Sequence, residues 1–304
     1  MTRTMKWAWF LGLIAAAPLR AAFEDPLWSA RSAALGGAFT TIDDDPTGAF
    51  YNPAALASAR PRGINFGYAK LFAGVDNVDL SLNQLAYVQP LPEGTTLSLG
   101  WGSVVAGGLM REDTVALGAA QRFENVPLIE VMSAGVSLRY LSQKYTLDAA
   151  RSAGDPVFRD GAQRGVMALD VHAHVPEVDA RLPGLSVGVS LRALNKPDVG
   201  VGNKVRLPTE AAFGLRYRWG RWSLPLDIVA RDGELTPHVG IEGRLAQERV
   251  ALRAGTDTHQ AGAGLGYTHT LRKNLQLQVD YTFLWPLELE NSSGSHRATI
   301  GVKF

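Results

Sequence analysis

His172 and His174 lie two residues apart, on the same face of an extended strand as Asp170, which is the spacing of a metal-ligand pair. Met167, Leu169, Val171 and Val175 take the opposite face. A further ligand would be needed and none is identifiable, so the plainer reading is a hydrogen-bonded polar network. Asp43, Asp44 and Asp45 form a second cluster, whose carboxylates suit either calcium or a turn rich in acids. Ser, His and Asp all occur, but no Gly-x-Ser-x-Gly nucleophile motif does. Gly-x-Gly-x-x-Gly-like spacings lack the helix that would put a phosphate at its N-terminus. We assign no catalytic residue, no metal site and no cofactor, and read the chain as a non-enzyme.

The elements that must carry these residues are strands. From residue 62 onward apolar residues alternate with polar or small ones. Ile64, Phe66 and Tyr68 lead, then Val78, Leu80 and Leu82, then Leu97, Leu99 and Trp101 after the turn at Pro90–Gly94. Further segments open near Asp113, Ile129, Arg164, Gly184, Pro208, Trp222, Pro237, Glu248, His259, Asn274 and Ser295. That makes about fourteen strands of about ten residues each. An even count fits a closed antiparallel barrel, with an all-β fold class. Alternation alone does not say whether the apolar face meets lipid or a protein core. Trp101, Tyr217, Trp219, Trp222, Tyr281, Phe283 and Trp285 near strand ends point to membrane interfaces. The longest connection, from about Leu147 to Gly165, and a second at Asn195–Lys204 fall on the side where such barrels keep their outer loops. Either serves as a lid or adhesion surface, or as a plain solvated loop.

Residues 1–21 have the layout of a secretory signal peptide. Arg3 and Lys6 precede the apolar run Trp7–Ala17, and small residues follow at Ala21 and Ala22. The chain has 30 Lys+Arg and 29 Asp+Glu, and removing Arg3, Lys6 and Arg20 leaves 27 − 29 = −2. Such a balance offers no footprint for nucleic acid. With no cysteine there is neither a lipoprotein anchor nor a disulfide framework.

Residues 22–60 break the alternation. Gly36-Gly37 opens conformations closed to other residues, and Asp45-Pro46 and Asn52-Pro53 are turn signals. Arg31, Ala34-Leu35-Gly36-Gly37-Ala38-Phe39, the acidic turn Asp43-Asp44-Asp45 and Tyr51-Asn52-Pro53-Ala54-Ala55-Leu56 together resemble the amino-terminal signature of the FadL-like outer-membrane proteins, which include the PorV/PorQ type. The resemblance implies that residues 22–60 form a plug, or hatch, inside a barrel of residues 61–304. Asn52, Pro53 and Ala54 would take the place of the family's Asn-Pro-Ala triplet, with Gly36 and Gly37 lending flexibility and Asp43, Asp44 and Asp45 forming the turn. It also implies fourteen strands.

The chain ends Ala298, Ile300, Val302 and Phe304 on one face of a last strand. This resembles the terminal signal by which the barrel-insertion machinery of the bacterial outer membrane recognises its substrates, with Phe304 as its closing residue. The expected function is plug-gated passage of small hydrophobic molecules across that membrane, with outer-membrane lipid around the wall. The competing expectation is a PorV/PorQ-like accessory or shuttle with a secreted-protein partner. The chain is much shorter than the long-chain fatty-acid transporters, which leaves the substrate open.

Overall fold

The computed structural model describes residues 23–75, 79–127, 129–147, 156–158, 161–289 and 292–304. The expected signal peptide, Val78 and most of the long connection after Leu147 lie outside them.

Alternation becomes strand wherever a side chain must choose between two media. The fourteen strands are β1 Gly63–Leu71, β2 Leu80–Pro90, β3 Thr95–Ala106, β4 Met110–Val126, β5 Ile129–Tyr145, β6 Gln163–Val175 and β7 Leu185–Arg192, followed by β8 Glu210–Trp219, β9 Trp222–Arg231, β10 Glu234–Leu245, β11 Val250–Thr256, β12 Gln260–Arg272, β13 Leu275–Pro286 and β14 Ser295–Lys303. Each pairs antiparallel with its sequence neighbours, and β14 closes the ring on β1 from Gly63↔Lys303 to Lys70↔His296. Closure leaves no sheet edge unpaired, the condition for strands in a bilayer. Phe304 continues past β14, its N–H bonded to the Arg62 carbonyl at 3.1 Å and its ring 4.9 Å from the Arg62 guanidinium.

The outward face is apolar nearly everywhere: Ile64, Phe66 and Tyr68 on β1, Leu117 on β4, Met167 and Leu169 on β6, and Tyr281 on β13 are all exposed. Trp219 and Trp222 flank the β8–β9 turn at the end of the ring that holds Phe304, while Trp285 lies at the opposite end. No helix among the described residues is long and apolar enough to cross a membrane, which does not bear on strands.

Some boundaries and faces differ from the sequence reading. β4 starts at Met110 and β10 at Glu234, each about three residues before the expected Asp113 and Pro237. The β10 start follows from Asp232 and Gly233, both in the left-handed region, which make a two-residue turn that matches strand twist. In β2 the alternation changes sense. Leu82, Gln84, Ala86 and Val88 are buried inward, while Leu85 and Tyr87 share the outward face of Phe66 and Ile64. The leucines at that end of β2 therefore make an apolar patch inside the ring with Ala69 and Leu71.

One seam is short. β6 and β7 pair over only Val171–Val175 and Val187–Leu191. Beyond that, the connection after β7 lies along β6. Leu194 N–H donates to the Leu169 carbonyl at 2.9 Å, and Asn195 accepts from Leu169 N–H at 3.0 Å and donates to the Met167 carbonyl at 2.8 Å. One amide side chain thus stands in for a missing strand residue. Val199 and Leu207 of this connection are buried with Leu141, Ala168 and Ala193, and Phe23 packs against them. The Asn195–Lys204 stretch therefore lies against the wall at Asn195 and Val199, while Lys196 and Gly202 to Lys204 are exposed.

Candidate functional site

Three short helices precede the barrel: α1 Ala30–Ala34, α2 Gly48–Tyr51 and α3 Pro53–Ala59. Ser29 caps α1 by accepting from Ser32 N–H, and Asn52 caps α3 by accepting from Ala54 N–H at 3.0 Å with Pro53 in the first turn. Helices this short do not persist alone. Their stability comes from packing: Leu35, Phe39, Ile42, Phe50 and Tyr51 form the largest buried cluster of the molecule, together with Ala86 of β2 and Ala116 of β4.

Inward-facing side chains from around the ring satisfy the segment's polar groups. Asp227 of β9 accepts from Phe39 and Thr40 N–H at 2.9 and 2.8 Å. Ala30 N–H donates to Thr299 of β14 at 2.9 Å, and Ala30 carbonyl accepts from Thr282 of β13 at 2.6 Å. His238 of β10 meets the Gly36 carbonyl at 2.7 Å, and Ser190 of β7 donates to the Tyr51 carbonyl at 2.8 Å. Asn52 donates to the Thr40 carbonyl at 2.9 Å and to the Ala173 carbonyl of β6 at 3.1 Å. Its single amide therefore caps a helix, closes the acidic turn back on it, and touches the wall. Pro53 packs beside Gly118 of β4, and Ala54 is fully buried.

A charged network joins the segment to β8, β10, β11 and β13. Arg31 donates twice to Glu242, Nε and Nη2 each at 2.9 Å, and Nη1 reaches Asp44 at 2.7 Å. Glu242 also accepts from Arg253 at 2.6 Å and Arg244 at 3.1 Å, and Arg253 passes on to Asp280 at 2.6 Å. Arg244 reaches Asp44 at 2.5 Å, and Arg216 pairs with Asp43 at 2.9 Å. Asp45 accepts from Asn65 of β1 at 3.0 Å and from Thr47 N–H at 2.9 Å. Burial alone would raise the Asp44 carboxyl, but the Arg31 and Arg244 guanidiniums outweigh that and hold it well below the usual carboxylate range. The three aspartates accept from Arg216, Arg244 and Asn65 on the wall and from Arg31 on α1.

The strands are notched where the segment passes. A Cβ on Gly102 of β3 would come within 1.9 Å of the Trp28 ring, which stacks on Phe50 at 4.5 Å. One on Gly255 of β11 would come within 2.3 Å of the Leu35 backbone. Gly36 and Gly37 have φ of 63° and 84°, and a Cβ on Gly36 would sit 2.4 Å from Thr256 N. Both glycines have a left-handed backbone, and the close approach is to β11 at Gly36 and to His238 of β10 at Gly37. The histidine cluster is similarly occupied. His172 lies between Ser137 and Ser190 at 2.8 and 3.0 Å, His174 meets Ser58 at 2.7 Å, and Asp170 pairs with Arg139 at 2.6 Å. These contacts form a polar network that reaches the segment at Ser58 and, through Ser190, at Tyr51, with His174 Nε2 left without a hydrogen-bond partner.

Sequence reasoning picked Arg31 and the three aspartates but missed their partners Arg216, Glu242, Arg244, Arg253 and Asp280. Their signal was available: each is a charge at a position facing away from the apolar side of its strand.

Between the segment and the end of the ring opposite Phe304 lies a cavity of about 910 Å³. Its floor is Leu27, Gly37, Thr40 and Tyr51, and its wall runs from Leu71 and Val104 round to Arg231, His238, Pro286 and Arg297. The volume is at the upper end of small-molecule sites.

No protein-family model matches this sequence, and no curated protein matches it. Solved structures do match. The CymD monoaromatic hydrocarbon channel aligns at TM-score 0.59 and 10% identity, over 91% of this chain and 97% of that one. The deltaS2S3 mutant of the TodX monoaromatic hydrocarbon channel aligns at TM-score 0.60 and 12% identity over 92% and 99%. The Pseudomonas putida toluene transporter TodX aligns at TM-score 0.53 and 13% identity over 91% and 96%. Identity this low establishes architecture alone. The chain has the closed fourteen-strand barrel fold of these structures.

Proposed function

We propose that the chain is a channel of the bacterial outer membrane for small hydrophobic molecules, with residues 22–60 as a plug whose displacement opens the lumen. The observation that carries this is the segment itself. Leu27 to Ser58 is almost wholly buried, yet it is held by apolar packing and by polar contacts to inward side chains rather than by strand pairing. A segment outside the strand ladder can open as one cooperative unit while the ladder stays closed. The apolar outward face supports a lipid-facing wall, and the likeness to monoaromatic hydrocarbon channels supports the substrate class. In this orientation Phe304 lies at the periplasmic end, where the insertion machinery would meet it, and the 910 Å³ cavity opens to the cell exterior. A ligand enters the cavity, and movement of the segment connects it to the space below.

One observation favours the secretion-accessory reading. Leu109, Leu235, Leu287 and Leu289 are exposed in or beside the turns at the outer end, where a protein partner could dock. The two readings separate in liposomes. Toluene uptake and ion conductance are measured for the intact barrel and for Asn52→Ala with Pro53→Ala. A channel passes toluene, and the variant, which loses a helix cap and a wall contact, changes its rate and its conductance. A folded barrel that passes nothing in either form overturns the channel reading.

A further inference from the structure

Five arginines are buried among the described residues, and four of them have a carboxylate. Arg31 pairs with Glu242, Arg192 with Glu210, Arg216 with Asp43 and Arg253 with Asp280. Arg297 is the fifth. It faces inward from β14, opposite Ala69 on β1 and Thr282 on β13, and only 5% of it is exposed. Its guanidinium donates to the Leu27 carbonyl, its Nε has no hydrogen-bond partner, and it takes part in no ion pair among the described residues. A buried cation left this way is costly unless an anion completes it.

The place where that anion would come from is beside it. Arg297 lines the 910 Å³ cavity together with Leu71, Phe72, Val104, Pro286 and Leu289. This sector is apolar because β2 turns Leu80 and Leu82 inward beside Leu71. The rest of the lining carries carboxylates, with Asp25 of the segment in electrostatic reach of Arg297, Glu288 on the β13–β14 connection, and Glu112, Glu210, Asp227 and Glu234 across the cavity. An anionic group on Arg297 is therefore attracted by one guanidinium, while a second negative charge on the same molecule would face carboxylates.

We propose that Arg297 is the anchor of a ligand subsite that takes a small amphipathic monoanion, a carboxylate on an apolar ring-sized body. The carboxylate accepts from the free edge of the guanidinium, and the body lies on Leu71, Phe72, Val104 and Pro286. The ligand's route to the site rests on the channel reading above; its binding does not.

The test uses three probes that share one ring and differ in charge: benzoate, toluene and benzylamine. Binding to the detergent-solubilised full barrel is followed by ligand-detected NMR, and uptake is followed separately in liposomes. The intact protein is expected to bind benzoate over benzylamine. Arg297→Gln, which removes the charge and keeps an amide donor on a shorter side chain, is expected to weaken benzoate by about 10- to 100-fold, the worth of a charge-assisted hydrogen bond, with toluene unchanged. Arg297→Lys, which keeps charge without the planar fork, is expected to fall between. The selectivity among probes on the unaltered protein stands even if a variant fails to fold. Equal binding of benzoate and benzylamine, or benzoate binding unaffected by Arg297→Gln in a folded barrel, overturns the proposal. Arg297-dependent benzoate binding with no uptake of any probe sustains the subsite and defeats the channel reading instead.

Discussion

Glu242→Gln is the sharpest perturbation of the contact between segment and wall. The two carboxylate oxygens of Glu242 take four donors: Nε and Nη2 of Arg31, Nε of Arg253 and Nε of Arg244. Glutamine offers one oxygen for those four and directs an NH₂ at a guanidinium. Breaking a buried pair in this way costs about 3–5 kcal/mol. If that cost falls on the docked segment alone, its opening equilibrium rises by roughly 150- to 5,000-fold. Arg31→Met removes the same contact from the other side, but it leaves Glu242 with Arg253 and Arg244 and Asp44 with Arg244. Its cost is that of lost charged hydrogen bonds, about 1.5–3 kcal/mol. The assay is amide exchange of residues 29–59 in the detergent-solubilised barrel, with exchange of the β3–β4 and β4–β5 ladders as the internal reference. The expected order of acceleration is Glu242→Gln above Arg31→Met, with the ladders unchanged. Equal or reversed acceleration, or ladders that exchange as fast as the segment, would refute the claim that Glu242 is the hub of a separable contact.

The acidic turn makes a statement about pH. Asp44 sits well below the usual carboxylate range when docked, with burial opposing and Arg31 and Arg244 prevailing, so its stabilisation is complete above the unfolded value near 3.9 and is lost only as pH falls through the lower docked value. The Asp44 contribution, read as the difference in exchange protection of residues 29–59 between the intact chain and Asp44→Asn, should therefore be flat from pH 7 to pH 5, and a difference that shrinks in that window would contradict the assignment. Gly102→Ala forces a Cβ into the Trp28 ring and should cost about 1–3 kcal/mol, seen as a lower unfolding midpoint that Trp28→Ala in the same chain partly restores. Asn195→Ala leaves the Leu169 N–H and Met167 carbonyl without partners at the β6 seam. Each lost hydrogen bond is exposed and worth about 0.5–1.5 kcal/mol, so exchange in the Gln163–Leu169 part of β6 should quicken while β12–β13 stays protected.

The fold was legible because a two-sided strand writes its environment into every second residue. Ile64, Phe66 and Tyr68 face out as the alternation implies. The pattern misled where one strand serves two interiors. Leu80 and Leu82 read as the lipid face, but near that end the ring encloses an apolar patch that needs them inside. Boundaries slipped where turn chemistry rather than alternation decides, as at Asp232-Gly233 ahead of Pro237. The candidate site was half legible. The Asn52-Pro53 turn and the acidic cluster stand out locally, because capping and turns are local chemistry. Their partners do not, since Arg31 meets Glu242 across 211 residues and Arg216 meets Asp43 across 173. Only the strand register brings them together. Gly102 and Gly255 were visible as small residues, but what they make room for was not.

The central claim is that passage requires the amino-terminal segment to leave its place, and a reversible tether tests it most directly. Ser58 of α3 and Ser133 of β5 have their hydroxyl oxygens 3.0 Å apart, and the chain has no cysteine of its own. Ser58→Cys with Ser133→Cys therefore allows a single disulfide between segment and wall. The account predicts that toluene uptake into liposomes is abolished when this pair is oxidised and returns on reduction. Uptake that is the same in the oxidised and reduced forms, with the disulfide verified, would contradict it.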